Sequence, residues 1–158
     1  MTTSAQVISP KDLLTHWQGH RSLTRRVIEL FPEKEFFEFS IGGMRPFSQL
    51  VSELLSVGAP GLKGIVNQEI TPFTEMFQQL TTKAEYLEKW DDATEEINHL
   101  WWHLSVDDFS KVFNLFGQYE FPAIQNILYF IDNEVHHRGQ GYVYLRALGI
   151  EPPFFWER

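Results

Sequence analysis

Apolar positions along this chain recur at alternating steps of three and four over long runs, the spacing of one face of an α-helix. The first run follows Ser9-Pro10, a capping residue with proline at the first helical position and Asp12 in the first turn. Leu13, Trp17, His20, Thr24, Val27 and Phe31 form its face, and Pro32 marks its end. A second helix is predicted after Gly42-Gly43, with Pro46 in its first turn and Phe47, Leu50, Val51, Leu54 and Leu55 as its apolar face, interrupted at Gly58 to Gly61. From Leu62 to Leu80 the signal is mixed. Ile65, Ile70, Phe73, Phe77 and Leu80 keep a helical character that Gly64 and Pro72 break. Thr82-Lys-Ala-Glu85 matches a capping box, and Leu87, Trp90, Thr94, Ile97, Trp101 and Leu104 follow as a bundle seam. The last helix runs from Pro122 to about Leu148, with Gly149 as its stop and Pro152-Pro153 beyond. At ~1.5 Å per residue it spans roughly 40 Å, the length of a small bundle. Strand-like alternation is nearly absent. The predicted fold class is all-α: a four-helix bundle with an additional short helical segment between helices two and three, in a single domain over residues 1–158.

Composition narrows the chemistry. The sequence is 43% hydrophobic and contains five Trp and fourteen Phe, enough for a dense core without covalent staples. It has no Cys, which excludes a disulfide framework, a thiolate metal site and a cysteine nucleophile. Thirteen Lys and Arg against twenty-one Asp and Glu leave a net charge of -8, a deficit of the cations that neutralise phosphates. Nucleic acid is therefore an unfavoured partner, and the basic cluster Arg21, Arg25 and Arg26 is too short for a binding stripe. No run of about 18 apolar residues predicts a membrane span. The first residues lack the basic and apolar regions of a signal peptide, so a cytoplasmic location is expected.

The six histidines fall as three close pairs. His16 and His20, and His99 and His103, lie four apart on predicted helices, where two imidazoles share a face and can share a metal ion. Core packing or simple exposure accounts for them equally well. His136 and His137 are adjacent on the last helix, within Asn133-Glu-Val-His-His-Arg-Gly-Gln140. His137 shares a face with Phe130, Asn133, Gly141, Tyr144 and Leu148, while Ile124, Ile127, Leu128, Ile131, Val135 and Leu145 form a second apolar face. A helix apolar on two sides is expected to be buried, and polar groups facing inward must find partners. Gly139 in mid-helix suggests a close helix contact or a cavity. The segment reads either as a satisfied polar network or as a pocket floored by His137.

His136-His-Arg-Gly-Gln140 with Tyr144-Leu-Arg-Ala-Leu-Gly-Ile150 and the following proline pair resembles the closing helix of the DinB-like family. Met44-Arg-Pro-Phe-Ser-Gln-Leu50 resembles the family's second-helix opening. The resemblance implies a four-helix bundle with an unusual connection order, often paired as a homodimer, and a site where three histidines hold a divalent ion. It also implies metal-assisted transfer involving low-molecular-weight thiols or other nucleophiles. Carried over one at a time, the implied ligand positions are His137, kept as histidine, Asn133 one turn earlier, and Glu53 on the second helix. One imidazole, one carboxylate and one amide would suit a harder or more weakly held ion, with zinc, nickel and manganese as candidates. The alternative is a metal-free, hydrogen-bonded trio in a non-catalytic binding or interaction protein. The aromatic tail Phe154-Phe-Trp156 is expected to pack on the bundle or to join a dimer interface.

Overall fold

The computed structural model describes residues 6–75, 77 and 79–158. Helix α1 spans Pro10–Leu30, with the Ser9 side chain accepting from the Asp12 amide and Phe31 ending the helix in an extended conformation before Pro32. A short helix, α2, follows at Glu33–Glu38. Helix α3 covers Phe47–Asn67, α4 covers Lys83–Trp101 and α5 covers Ala123–Ala147. The predicted capping box at Thr82 and Glu85 is formed, so that two of the orphan amides opening α4 are satisfied reciprocally. Helix α3 packs against α4 and α5, and α1 also packs against α4 and α5. The order around the bundle is therefore α1, α4, α3, α5, which sets α1 diagonally from α3 and α4 diagonally from α5.

Three features differ from the sequence pattern. Helix α3 runs through Gly58–Gly61, although Pro60 removes one helical donor. Of the two glycines there, Gly61 is the one that close packing requires. A Cβ on Gly61 would stand 2.5 Å from the Phe130 ring, and one on Gly58 would stand 3.6 Å from Trp17. Residues 62–67, which the sequence pattern assigns to a separate segment, are thus the last turns of α3. The extra short helix is α2, between the first two long helices. Phe36 holds α2 in place, fully buried against Phe31, Phe47 and Tyr86. The third difference is an antiparallel hairpin, β1 at Val112–Leu115 and β2 at Tyr119–Pro122, preceded by a 3-10 turn at Val106–Ser110. Its tip is Phe116-Gly117, both with positive φ (57° and 73°), closed by the Gln118 amide donating to the Leu115 carbonyl. The connection is three residues long, 116–118, and its left-handed positions are ones that Asn and Gly adopt more readily than Phe.

The core divides into two apolar clusters. One gathers Leu13, Trp17, Leu62, Ile97, Trp101, Ile127 and Phe130. The other gathers Phe31, Phe36, Phe47, Leu54, Tyr86, Trp90 and Tyr144. Buried polar residues occupy the helical turns between them: His20, Arg21 and Thr24 on α1, and Glu134, His137 and Arg138 on α5. The second apolar face expected on α5 is only partly buried, since Leu128 and Val135 are exposed. Its place toward α1 is taken by Glu134 and Arg138. The rings of Phe154 and Trp156 stack on each other at 4.8 Å but stay exposed, while Arg26 and His20 of α1 contact Glu157 and Arg158 beyond them.

Candidate functional site

Helix α3 begins at Phe47 behind Pro46, and Arg45 sits just outside it in the preceding segment. The Tyr144 hydroxyl donates to the Arg45 carbonyl at 2.8 Å and fixes the backbone there. From that anchor the Arg45 side chain reaches two turns along α3. Its Nη2 donates to Glu53 Oε2, and its Nη1 donates to Glu75 Oε1 at 3.2 Å. The other Glu53 oxygen, Oε1, lies 3.0 Å from His137 Nε2 on α5. His137 Nδ1 lies 2.7 Å from Gln140 Oε1, one turn along the same helix, and Gln140 Nε2 contacts Met44 Sδ at 3.3 Å. The result is a continuous polar line, Glu75–Arg45–Glu53–His137–Gln140, that joins the loop after α3 to α5.

Glu53 is held as a carboxylate. The hydrogen bond from His137 is the largest cause, and Arg45 adds to it against the opposing effect of burial, so that its pKa falls to about 2. Beside Glu53 opens a cleft of about 320 Å³, lined also by Val57, Phe73, Phe116, Gln118, Tyr119 and Tyr129. His137 is not among its lining residues.

Of the three sequence-selected residues, the structure brings Glu53 and His137 into hydrogen-bond contact and leaves Asn133 out. Asn133 lies one turn before His137, and its amide Nδ2 is buried without a hydrogen-bond partner. Among the described residues the polar contacts of Glu53 and His137 run to each other, to Arg45 and to Gln140, with none to Asn133. Zinc ligands at ~2.0–2.2 Å in a tetrahedral site stand roughly 3.4 Å apart, so an ion between Glu53 and His137 would have to replace their shared proton and spread the pair slightly. It would also sit beside the Arg45 guanidinium. Among the described residues no three His, Asp or Glu side chains form a group able to hold a metal ion. Two ligating side chains already bonded to each other, one of them also to a guanidinium, do not fit a three-ligand divalent site as they stand.

The other histidine pairs stay apart from this line. His99 and His103 have their ring centroids 5.1 Å apart at the end of α4, away from Glu53. His16 Nε2 and His20 Nε2 approach to 3.2 Å, but the other polar neighbours of the His20 ring are basic. Arg138 Nη2 donates to His20 Nδ1 at 2.9 Å, and Arg158 Nη1 lies 3.0 Å from Nε2. Burial, Arg138, His16 and Arg158 lower the His20 pKa to about 4. His136 is exposed, and Glu134 points away from His137 into the bundle.

Sequence reasoning missed two sets of residues. Arg45, Gln140 and Glu75 complete the line around Glu53. A second, fully buried network surrounds Glu134, which accepts from Thr24 Oγ1 at 2.6 Å and faces Arg21 and Arg138 at 3.8 and 4.0 Å. Arg21 also donates to Thr94 Oγ1 and to the Trp90 carbonyl, with its guanidinium 4.0 Å from the centre of the Trp90 ring.

The sequence profile of the DinB family matches residues 1–157. The chain belongs to the DinB family. Solved structures agree with that assignment at the level of fold. A DinB-like protein from Bacillus cereus ATCC 10987 is similar with a TM-score of 0.73 at 13% identity, over 92% of this chain and 97% of that one. A DinB-like protein from Bacillus subtilis gives a TM-score of 0.72 at 18% identity, over 92% and 99% of the two chains. No protein of curated function matches this DinB-family sequence. Among the described residues no helix is long and apolar enough to cross a membrane.

Proposed function

We propose that this DinB-family chain is a small-molecule-binding protein whose core site works through the Arg45–Glu53–His137 hydrogen-bonded set and not through a tightly held divalent ion. The observation that supports this reading is the Arg45 guanidinium on the second oxygen of Glu53. It supplies a fixed positive charge where a bound cation would otherwise neutralise the carboxylate, and two cations a few ångströms apart repel. The same contacts weigh against Glu53 as a general base. A carboxylate held at about 2 has little affinity for a proton near neutrality. His137 spends one ring nitrogen on Glu53 and the other on Gln140. What faces the cleft is a fixed negative group set among aromatic rings, which is equipment for binding.

Metal-assisted transfer to or from a thiol or another nucleophile, with Glu53, Asn133 and His137 as ligands, is the competing reading. Elemental analysis of untagged protein purified without chelator separates the two. After exposure to zinc, nickel and manganese, uptake well below one ion per chain is expected. Arg45→Met is expected to raise it, because Glu53 and Glu75 lose their shared counter-charge. Near-stoichiometric metal in the parent protein, lost in both Glu53→Ala and His137→Ala, would overturn the proposal.

A further inference from the structure

We infer that the cleft beside Glu53 takes an organic cation, an alkylammonium group seated among Phe73, Phe116, Tyr119 and Tyr129 with the Glu53 carboxylate at its side. The inference rests on the small-molecule reading above and names the ligand class. Four aromatic side chains from three separate parts of the fold meet at this cleft: Phe73 from the loop after α3, Phe116 and Tyr119 from the hairpin, and Tyr129 from α5. They come as two pairs, Phe73 with Phe116 at 5.4 Å and edge-on, and Tyr119 with Tyr129 at 6.3 Å. Phe73, Tyr119 and Tyr129 each leave about two-fifths of their surface exposed. Aromatic faces carry negative potential, and several of them around one small space are the usual receptor for a cation too large and weakly hydrated for a compact ion site.

Charge points the same way. Glu53 is the charged residue lining the cleft, and no Lys or Arg lines it among the described residues. Arg45 divides its guanidinium between two carboxylates, those of Glu53 and Glu75, so Glu53 does not have a counter-charge to itself. The backbone of Phe116 adds an independent sign. A bulky residue at φ 57° is strained, and Asn or Gly would be relaxed there. The chain keeps a phenylalanine at that position, with its ring in the cleft wall. A second cleft of about 250 Å³, lined by Phe121, Gln125 and Asn126, shares Tyr119 and Tyr129 with the first. The two together suit a cationic head with an apolar extension.

The test uses choline and its neutral isostere, 3,3-dimethylbutan-1-ol, titrated into the full-length protein while the amide signals of residues 116–119 and 129 are followed by NMR. The expected result is at least tenfold tighter binding of choline, with the shifts confined to those amides. Glu53→Gln should erase most of that preference, and Phe116→Asn, which suits the left-handed backbone, should weaken binding while the fold is kept. Equal binding of the two alcohols, unaffected by Glu53→Gln, would overturn the cation inference and leave a neutral small-molecule cleft. No shift at those amides with either compound up to roughly 50 mM would overturn both the inference and the reading beneath it.

Discussion

Gly141 of α5 stands so close to Phe47 at the start of α3 that a Cβ built on it would lie 2.6 Å from the ring. Gly141 lies one turn beyond His137 on α5, and Phe47 lies on the same helix as Glu53, so this contact sets how near α5 can come to α3 at the site. Gly141→Ala is expected to cost about 1–3 kcal/mol through overpacking and to lengthen the Glu53–His137 contact. Gly139, two residues earlier, faces open space, and a Cβ added there would meet nothing within 4 Å. Gly139→Ala should therefore stabilise the helix by about 0.5–1 kcal/mol. Urea denaturation of the two variants measures both changes, and equal effects would refute the distinction.

The same pair shows what is legible in the sequence. A mid-helix glycine signals either a close approach or an accident, and periodicity alone does not say which. The pattern draws attention to Gly139, yet the contact belongs to Gly141, because the direction of α3 relative to α5 is a tertiary fact. The long helices, the Ser9 and Thr82 caps, the stop at Gly149 and the meeting of Glu53 with His137 are all readable, because each depends on local chemistry or on a familiar motif. Arg45 is not. It lies outside any helix, and the tertiary contact of its carbonyl with Tyr144 helps to direct it back along α3. Glu134 is hidden for a related reason. Val135 and Leu128 look like core by hydropathy, yet α5 turns positions 134 and 138 toward α1 and leaves those two in solvent. The hairpin lacks a turn signal because Phe116 occupies a left-handed position that Asn or Gly adopts more readily.

Glu134 carries a prediction that contrasts with a surface ion pair. Its carboxylate is the counter-charge for two buried guanidinium groups, while burial pushes its own pKa up and that of Arg21 down. Glu134→Gln keeps the shape and strands the charges of Arg21 and Arg138, at an expected cost of about 3–5 kcal/mol. Asp91, which accepts from Arg25 Nε at 2.7 Å at the exposed edge of α4, should cost only about 0–1 kcal/mol as Asp91→Asn. Chemical denaturation of both variants checks the ratio. A Glu134→Gln protein as stable as the parent would mean that the layer is organised by hydrogen bonds alone.

His20 predicts a window of acid sensitivity. In the folded chain its pKa is lowered from 6.5 to about 4 by burial first, then by Arg138 on Nδ1 and by His16 and Arg158 at Nε2. Between those values the unfolded chain binds a proton that the folded chain does not, so stability falls as pH is lowered from about 6.5 toward 4 and stops falling below. With discounting for partial solvation, the loss is on the order of 2 kcal/mol. His20→Gln should flatten the stability profile across that window while leaving any loss at lower pH in place. A parent profile already flat from pH 7 to 4 would refute the assignment.

Phe116 offers a test of stored backbone strain that does not depend on any ligand. Removing a partly buried phenylalanine usually destabilises a protein by several kcal/mol, because apolar contacts are lost. Here the ring packs at the edge of the apolar cluster around Trp17 and Trp101 and against Phe73, while its backbone sits in the left-handed region at φ 57°. Phe116→Asn gives up the ring but places a residue that tolerates this left-handed conformation beside Gly117. The relief of about 1–3 kcal/mol opposes the loss of the ring, so the variant should be destabilised by less than the removal of the ring alone would cost. Phe116→Ala loses the ring without relieving the strain and should be less stable than Phe116→Asn by roughly 1 kcal/mol or more. Thermal unfolding of the pair decides the matter: if Ala and Asn are equally destabilising, the hairpin tip stores no strain and the phenylalanine is held there by packing alone.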